Sequence, residues 1–158
     1  MDAIAQAIDQ LKAKFHPART VLVGHSGGAA ITGDVLGRWP SEVDGALMVS
    51  CPCDLGAWRK HMLQIQNDPI WSAPVKSLSP IDLANRVLPA VRVRLLVGSL
   101  DPVAPPDFSR RSAEALRRHG GDVAVAIIPG LEHDILLEPV TFDALETLVE
   151  ALKQATQR

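Results

Sequence analysis

A chain of 158 residues, 47% of them apolar and with a net charge of -2, is sized for one globular domain with a real core. That charge offers no handle for nucleic acid or an anionic membrane, and Arg110-Arg111 and Arg117-Arg118 flank Glu114 at helical spacing, as a solvated helix face does. No apolar run approaches the roughly 18 residues of a membrane span. Met1-Asp2-Ala3 lacks the basic start of a signal peptide, so a cytoplasmic protein is expected.

Residues 2–15 place Ile4, Ile8, Leu11 and Phe15 on one stripe, with Asp9, Lys12 and Lys14 off it. The pattern predicts an amphipathic helix, ended by His16-Pro17. Val21-Leu22-Val23 is short, wholly apolar and holds two β-branched residues, which suits a strand buried on both faces. Gly24-His25-Ser26-Gly27-Gly28 breaks that run, and a helix follows from about Gly27 to Arg38. Residues 46–50 read as a second strand, 58–67 as a helix, and 68–80 as a Pro- and Ser-rich excursion carrying Trp71. A short helix over 82–87 leads to a third strand, 91–97, where Arg92 and Arg94 mark a solvated entry. Residues 107–119 form a helix stopped by Gly120-Gly121, and 123–128 a fourth strand halted by Pro129-Gly130. Phe142, Leu145, Leu148, Val149 and Leu152 stripe the last helix. Strands alternating with helices predict an α/β domain over residues 1–158: a parallel sheet of about four strands with helices on both faces.

Ser26 stands in Gly-x-Ser-x-Gly between a strand and a helix, where the turn lifts a serine hydroxyl above the sheet. Glycines on both sides permit that tight turn. A serine needs a base to take its proton, and the base needs an orienting carboxylate. In an open parallel sheet such groups emerge at the carboxyl ends of strands. Asp101 follows the third strand in L-L-V-G-S-L-D-P-V, and His133 follows the fourth in P-G-L-E-H-D. Asp54, just after the second strand, is the rival acid.

His25 adjoins Ser26, and neighbouring side chains at such a turn point apart, which disfavours it as the base. It is assigned instead, with Trp58, Met62 and Trp71, to the walls of a substrate pocket built around residues 55–80; a core role would serve the last three equally. Cys51 and Cys53 stand too close to bridge without strain and are expected as small buried thiols. With His61 they would make a metal site lacking a fourth ligand, so no metal is expected. A dinucleotide site fails because Ser26 stands where backbone approach demands glycine.

With Ser26, Asp101 and His133 in this order, residues 2–152 resemble the catalytic portion of an α/β-hydrolase-fold enzyme. The Ser79-Pro80-Ile81 turn is similar to one in the prolyl-oligopeptidase-like and related esterase branch. The resemblance implies a serine hydrolase cleaving carboxylic esters or related acyl bonds without metal or organic cofactor. Ser26 would be its nucleophile, His133 its base, Asp101 the orienting acid and the Gly27 amide an oxyanion donor. The alternatives are a prolyl-oligopeptidase-like peptidase, which would need a gating domain, or a non-catalytic module for binding or assembly. The resemblance begins late: the strands that precede the elbow in the family, and the loop that supplies a second oxyanion donor, have no counterpart here. Residues 21–23 would then be an apolar edge strand. A partial domain, or a homo-oligomer completing its sheet across that edge, is the expectation.

Overall fold

The computed structural model describes residues 2–73 and 78–155. Its four strands, β1 (Val21–His25), β2 (Gly45–Val49), β3 (Arg92–Gly98) and β4 (Asp122–Ile128), lie side by side in chain order. Every neighbouring pair is parallel. The helices are α1 (Asp2–Phe15), α2 (Gly27–Arg38), α3 (Leu55–Gln66), α4 (Pro106–Arg118) and α5 (Pro139–Ala155).

Alternation along the strands divides the core in two. On one face Leu22, Ala46, Met48, Val93, Leu95, Val123 and Val125 pack with Ile8 of α1, Val35 and Leu36 of α2, and Ala113 and Leu116 of α4. On the other, Leu47, Val49 and Leu96 meet Leu148 and Leu152 of α5. All five residues of β2 are buried, as a central strand covered on both sides should be. β1 lies at one edge and pairs with β2 alone among the described residues, which leaves Val23 43% exposed. At the entry to β3, Arg92 and Arg94 reach the Asp122 carboxylate at 3.4 and 2.9 Å, so their solvated ends are tied to the start of β4.

α3 begins three residues earlier than its apolar pattern predicts, because Asp54 caps it: Oδ1 accepts from the Ala57 amide at 2.9 Å. The predicted helix at 82–87 is a 3₁₀ turn over Pro80–Arg86. Within the excursion, Pro69–Ser72 forms another; residues 74–77 lie outside the described residues. The cysteines correct an expectation. They are joined to each other as a buried Cys51–Cys53 disulfide rather than held as thiols. Their Cα atoms stand 5.1 Å apart, within the range a disulfide spans. No helix among the described residues is long and apolar enough to cross a membrane.

Candidate active site

The elbow after β1 is built around a left-handed serine. Ser26 has φ 53°, a region that costs a non-glycine residue conformational energy and persists only where its surroundings enforce it. Here the Ser26 amide donates to Val49 O of β2 at 2.9 Å, and the Ser26 carbonyl accepts from the amides of Ala29 and Ala30. Gly24 makes the close approach of β1 and α2 possible, since a Cβ there would lie 2.3 Å from Gly28 O and 2.5 Å from Thr32 Oγ1. The second glycine of the motif is different. Beyond its chain neighbours and the backbone of its own helix, a Cβ built on Gly27 or Gly28 meets no described atom within 4 Å, so these two leave open space beside the serine and its following amides. Although Ser26 occupies the N-cap position of α2, its hydroxyl caps no amide there among the described residues. It faces His133 Nε2 at 2.9 Å.

His133 is held from behind. Both oxygens of Asp101 lie 2.9 Å from His133 Nδ1. A carboxylate accepts only, so Nδ1 carries the proton and Nε2 is left to accept from the Ser26 hydroxyl. Asp101 Oδ1 also accepts from the amides of Val103 and Ala104, at 2.9 and 2.8 Å. The largest influence on this carboxyl is burial, which opposes ionisation. The bond from His133 and that from the Ala104 amide lead the influences that outweigh it and hold the group below the usual carboxylate range. A depression of about 460 Å³ opens beside the imidazole, lined by Pro102, Val103, Leu131, Glu132, Asp134 and Ile135, among others.

Residues 1–157 match the model of the prolyl oligopeptidase family. The chain belongs to that family. Structures similar to it include a puromycin-hydrolysing peptidase of Mycobacterium tuberculosis, at 28% identity and TM-score 0.72 over 92% of this chain and 23% of that one. The acylaminoacyl peptidase of Pyrococcus horikoshii is 17% identical with TM-score 0.72, over 96% of this chain and 26% of the peptidase. The Pyrococcus furiosus esterase Pf2001 is 16% identical with TM-score 0.72, over 93% of this chain and 59% of the esterase. This member of the prolyl oligopeptidase family thus spans about a quarter of those peptidases and about three fifths of that esterase. No curated protein sequence matches it. Its fold is that of the α/β-hydrolases, and its family is one of serine hydrolases.

The remaining residues singled out in this prolyl oligopeptidase family chain fall into place around the loops. His25 is not the group that meets the Ser26 hydroxyl; its ring is committed to the His133 segment. Its side chain leaves the strand on the face opposite Gly24, where the loop carrying His133 crosses. The two imidazoles stand 5.0 Å apart, and His25 Nε2 donates to His133 O at 2.9 Å. Trp58 and His61 of α3 hold the loop that follows Asp101: Trp58 Nε1 donates to Val103 O at 2.9 Å and His61 Nε2 to Pro102 O at 2.7 Å. Met62 is buried, and Trp71 packs edge-on against Trp58 while donating to Gln66 Oε1. These side chains back the Asp101 loop and do not line the depression beside the imidazole. Asp54 is committed elsewhere, capping α3 and pairing with Arg111 at 3.3 Å. The Cys51–Cys53 bond leaves no thiolate to join His61 on a metal. Sequence reasoning missed Ser50. It is buried at the end of β2 with φ 49°, and its hydroxyl donates to His133 O at 2.9 Å. Its position at a strand's carboxyl end was the only available signal.

Proposed function

We propose that this chain carries the acyl-transfer machinery of a serine hydrolase acting on carboxylic esters or related acyl bonds. The observation that supports this reading best is the Ser26 Oγ to His133 Nε2 contact, with a buried Asp101 carboxylate behind the ring and the hydroxyl not used as a helix cap. In that mechanism Oγ attacks the carbonyl carbon as its proton passes to Nε2. The tetrahedral oxyanion is met by the Gly27 amide at the start of α2, over the open Gly27-Gly28 surface. The bond to the leaving group breaks, and Nε2 returns the proton to it. Water then gives a proton to Nε2 and attacks the acyl-enzyme. The acid departs and Ser26 regains its proton. Asp101 holds the ring in the required tautomer and stabilises the imidazolium, and no metal or organic cofactor enters.

A peptide bond is the second reading, favoured by the family match over residues 1–157. Parallel assays on a p-nitrophenyl ester and an aminoacyl p-nitroanilide separate the two. A fluorophosphonate probe tests the class. Wild type is expected to be labelled and Ser26→Ala to remain dark. Labelling that is equal in both, or absent from both, leaves a non-catalytic binding or assembly module as the reading.

A cytoplasmic compartment is part of this reading, and the Cys51–Cys53 pair offers its test. In a reducing cytosol the Cys51–Cys53 bond would open. Alkylation at lysis is therefore expected to find two thiols, whereas an intact disulfide points to an oxidising compartment.

A further inference from the structure

The segment between β4 and α5 that carries His133 has no regular secondary structure, so its backbone must be positioned by other means. The His133 carbonyl receives three donors: His25 Nε2 at 2.9 Å, Ser50 Oγ at 2.9 Å and the Ile135 amide at 3.0 Å. A carbonyl oxygen has two lone pairs, so three converging donors over-determine its place. The two side chains come from neighbouring strands, His25 from the last position of β1 and Ser50 from the position after β2. Both strand ends are fixed by the sheet, where His25 is in register with Val49.

Neither residue is in the reactive trio, and neither is required by the elbow motif, whose second position is open to any side chain. Yet each makes a specific commitment. A carbonyl can only accept, so His25 must carry its proton on Nε2. Ser50 holds a left-handed φ of 49°, and its amide donates to Leu96 O at 2.7 Å, which aims the hydroxyl under the loop.

We propose that His25 and Ser50 are positioning residues for the base, fixing the His133 backbone carbonyl so that its ring stays aligned between Ser26 and Asp101. This rests on the hydrolase reading above. A ring displaced by about 1 Å loses on the order of 10²-fold in rate although every reacting group is still present.

The substitutions are chosen to separate positioning from folding. His25→Ala removes the donor, whereas His25→Gln keeps an N–H near the place of Nε2. Ser50→Gly removes the hydroxyl but suits a positive φ better than serine does. Rates of fluorophosphonate reaction and kcat on p-nitrophenyl acetate are expected to fall about 10-fold to 10²-fold in His25→Ala and Ser50→Gly, with KM little changed. His25→Gln should recover most of the loss, and Ser50→Gly should melt no lower than wild type. The proposal is overturned if both truncations react at the wild-type rate, if Gln fails to rescue, or if the losses merely follow lowered melting temperatures. Side-chain NMR of ¹⁵N-histidine protein supplies a readout independent of turnover. The His133 Nδ1 proton, held by Asp101 in wild type, should broaden or shift in both truncations; an unchanged resonance also overturns the proposal. If wild type does not react while that resonance moves, the hydrolase reading fails and the positioning of His133 stands.

Discussion

Asp101→Asn is expected to lower kcat by about 10⁴-fold while leaving the fold intact. The reason lies in which atom each neighbour demands. Oδ1 accepts from the amides of Val103 and Ala104, so an asparagine must place its carbonyl oxygen there. Its NH₂ then takes the place of Oδ2 and presents a donor to His133 Nδ1. Nδ1 must become the acceptor, the proton moves to Nε2, and the ring loses the lone pair that accepts from Ser26. The loop itself survives because its two amides keep their acceptor. The check is kcat on an activated ester, read beside circular dichroism.

The same substitution carries a stability signature. Asp101 is held below its ordinary value near 3.8 in the folded chain. A carboxyl depressed by folding adds stability above its unfolded pKa, and that contribution drains away as pH falls through the folded one. Asp101→Asn should therefore melt below wild type at neutral pH, with the gap closing in strong acid. A gap that widens on acidification would contradict the assignment.

The sheet was readable because each strand carries a short apolar run, near Val21, Ala46, Val93 and Val123, although only the central β2 is buried along its whole length and β1 and β4 are partly exposed edges. Helices α1 and α2 begin and end as their stripes and breakers indicate, while α3 starts early because a cap, not periodicity, sets its first turn. Ser26, Asp101 and His133 were legible because each stands at a strand's carboxyl end. The surroundings of that trio were not. The direction of His25 depends on which face of β1 the loop after β4 crosses, a tertiary fact with no local trace. Ser50 offered no turn signature to reveal its positive φ. Trp58 and His61 show only as helix residues until the Asp101 loop is seen beneath them. The Cys-Pro-Cys pairing depends on how closely the backbone brings Cys51 and Cys53 together, which residue spacing alone does not disclose.

Gly98→Ala is expected to damage the site without touching a reacting group. Gly98 ends β3 and is in register with Ile128 at the end of β4, under the segment that carries His133. A Cβ built there would lie 2.2 Å from both Leu131 O and Glu132 O. Both contacts are backbone, so no side-chain rotation relieves them. Either β3 withdraws from the sheet or residues 131–132 lift, and lifting carries His133 away from Ser26 and Asp101. Overpacking of this kind costs about 2–3 kcal/mol, which in a domain of this size lowers Tm by roughly 5–10 °C. The rate of fluorophosphonate reaction should fall by about 10²-fold or more as the imidazole loses its alignment. Gly28→Ala is the matched control, since it adds the same methyl group where nothing beyond its own helix and chain neighbours lies within 4 Å among the described residues. At the first turn of α2 it should hold or raise Tm. If both alanines behave alike, Gly98 does not seat His133 by steric clearance, and the contact between β3 and residues 131–132 is not what fixes the imidazole.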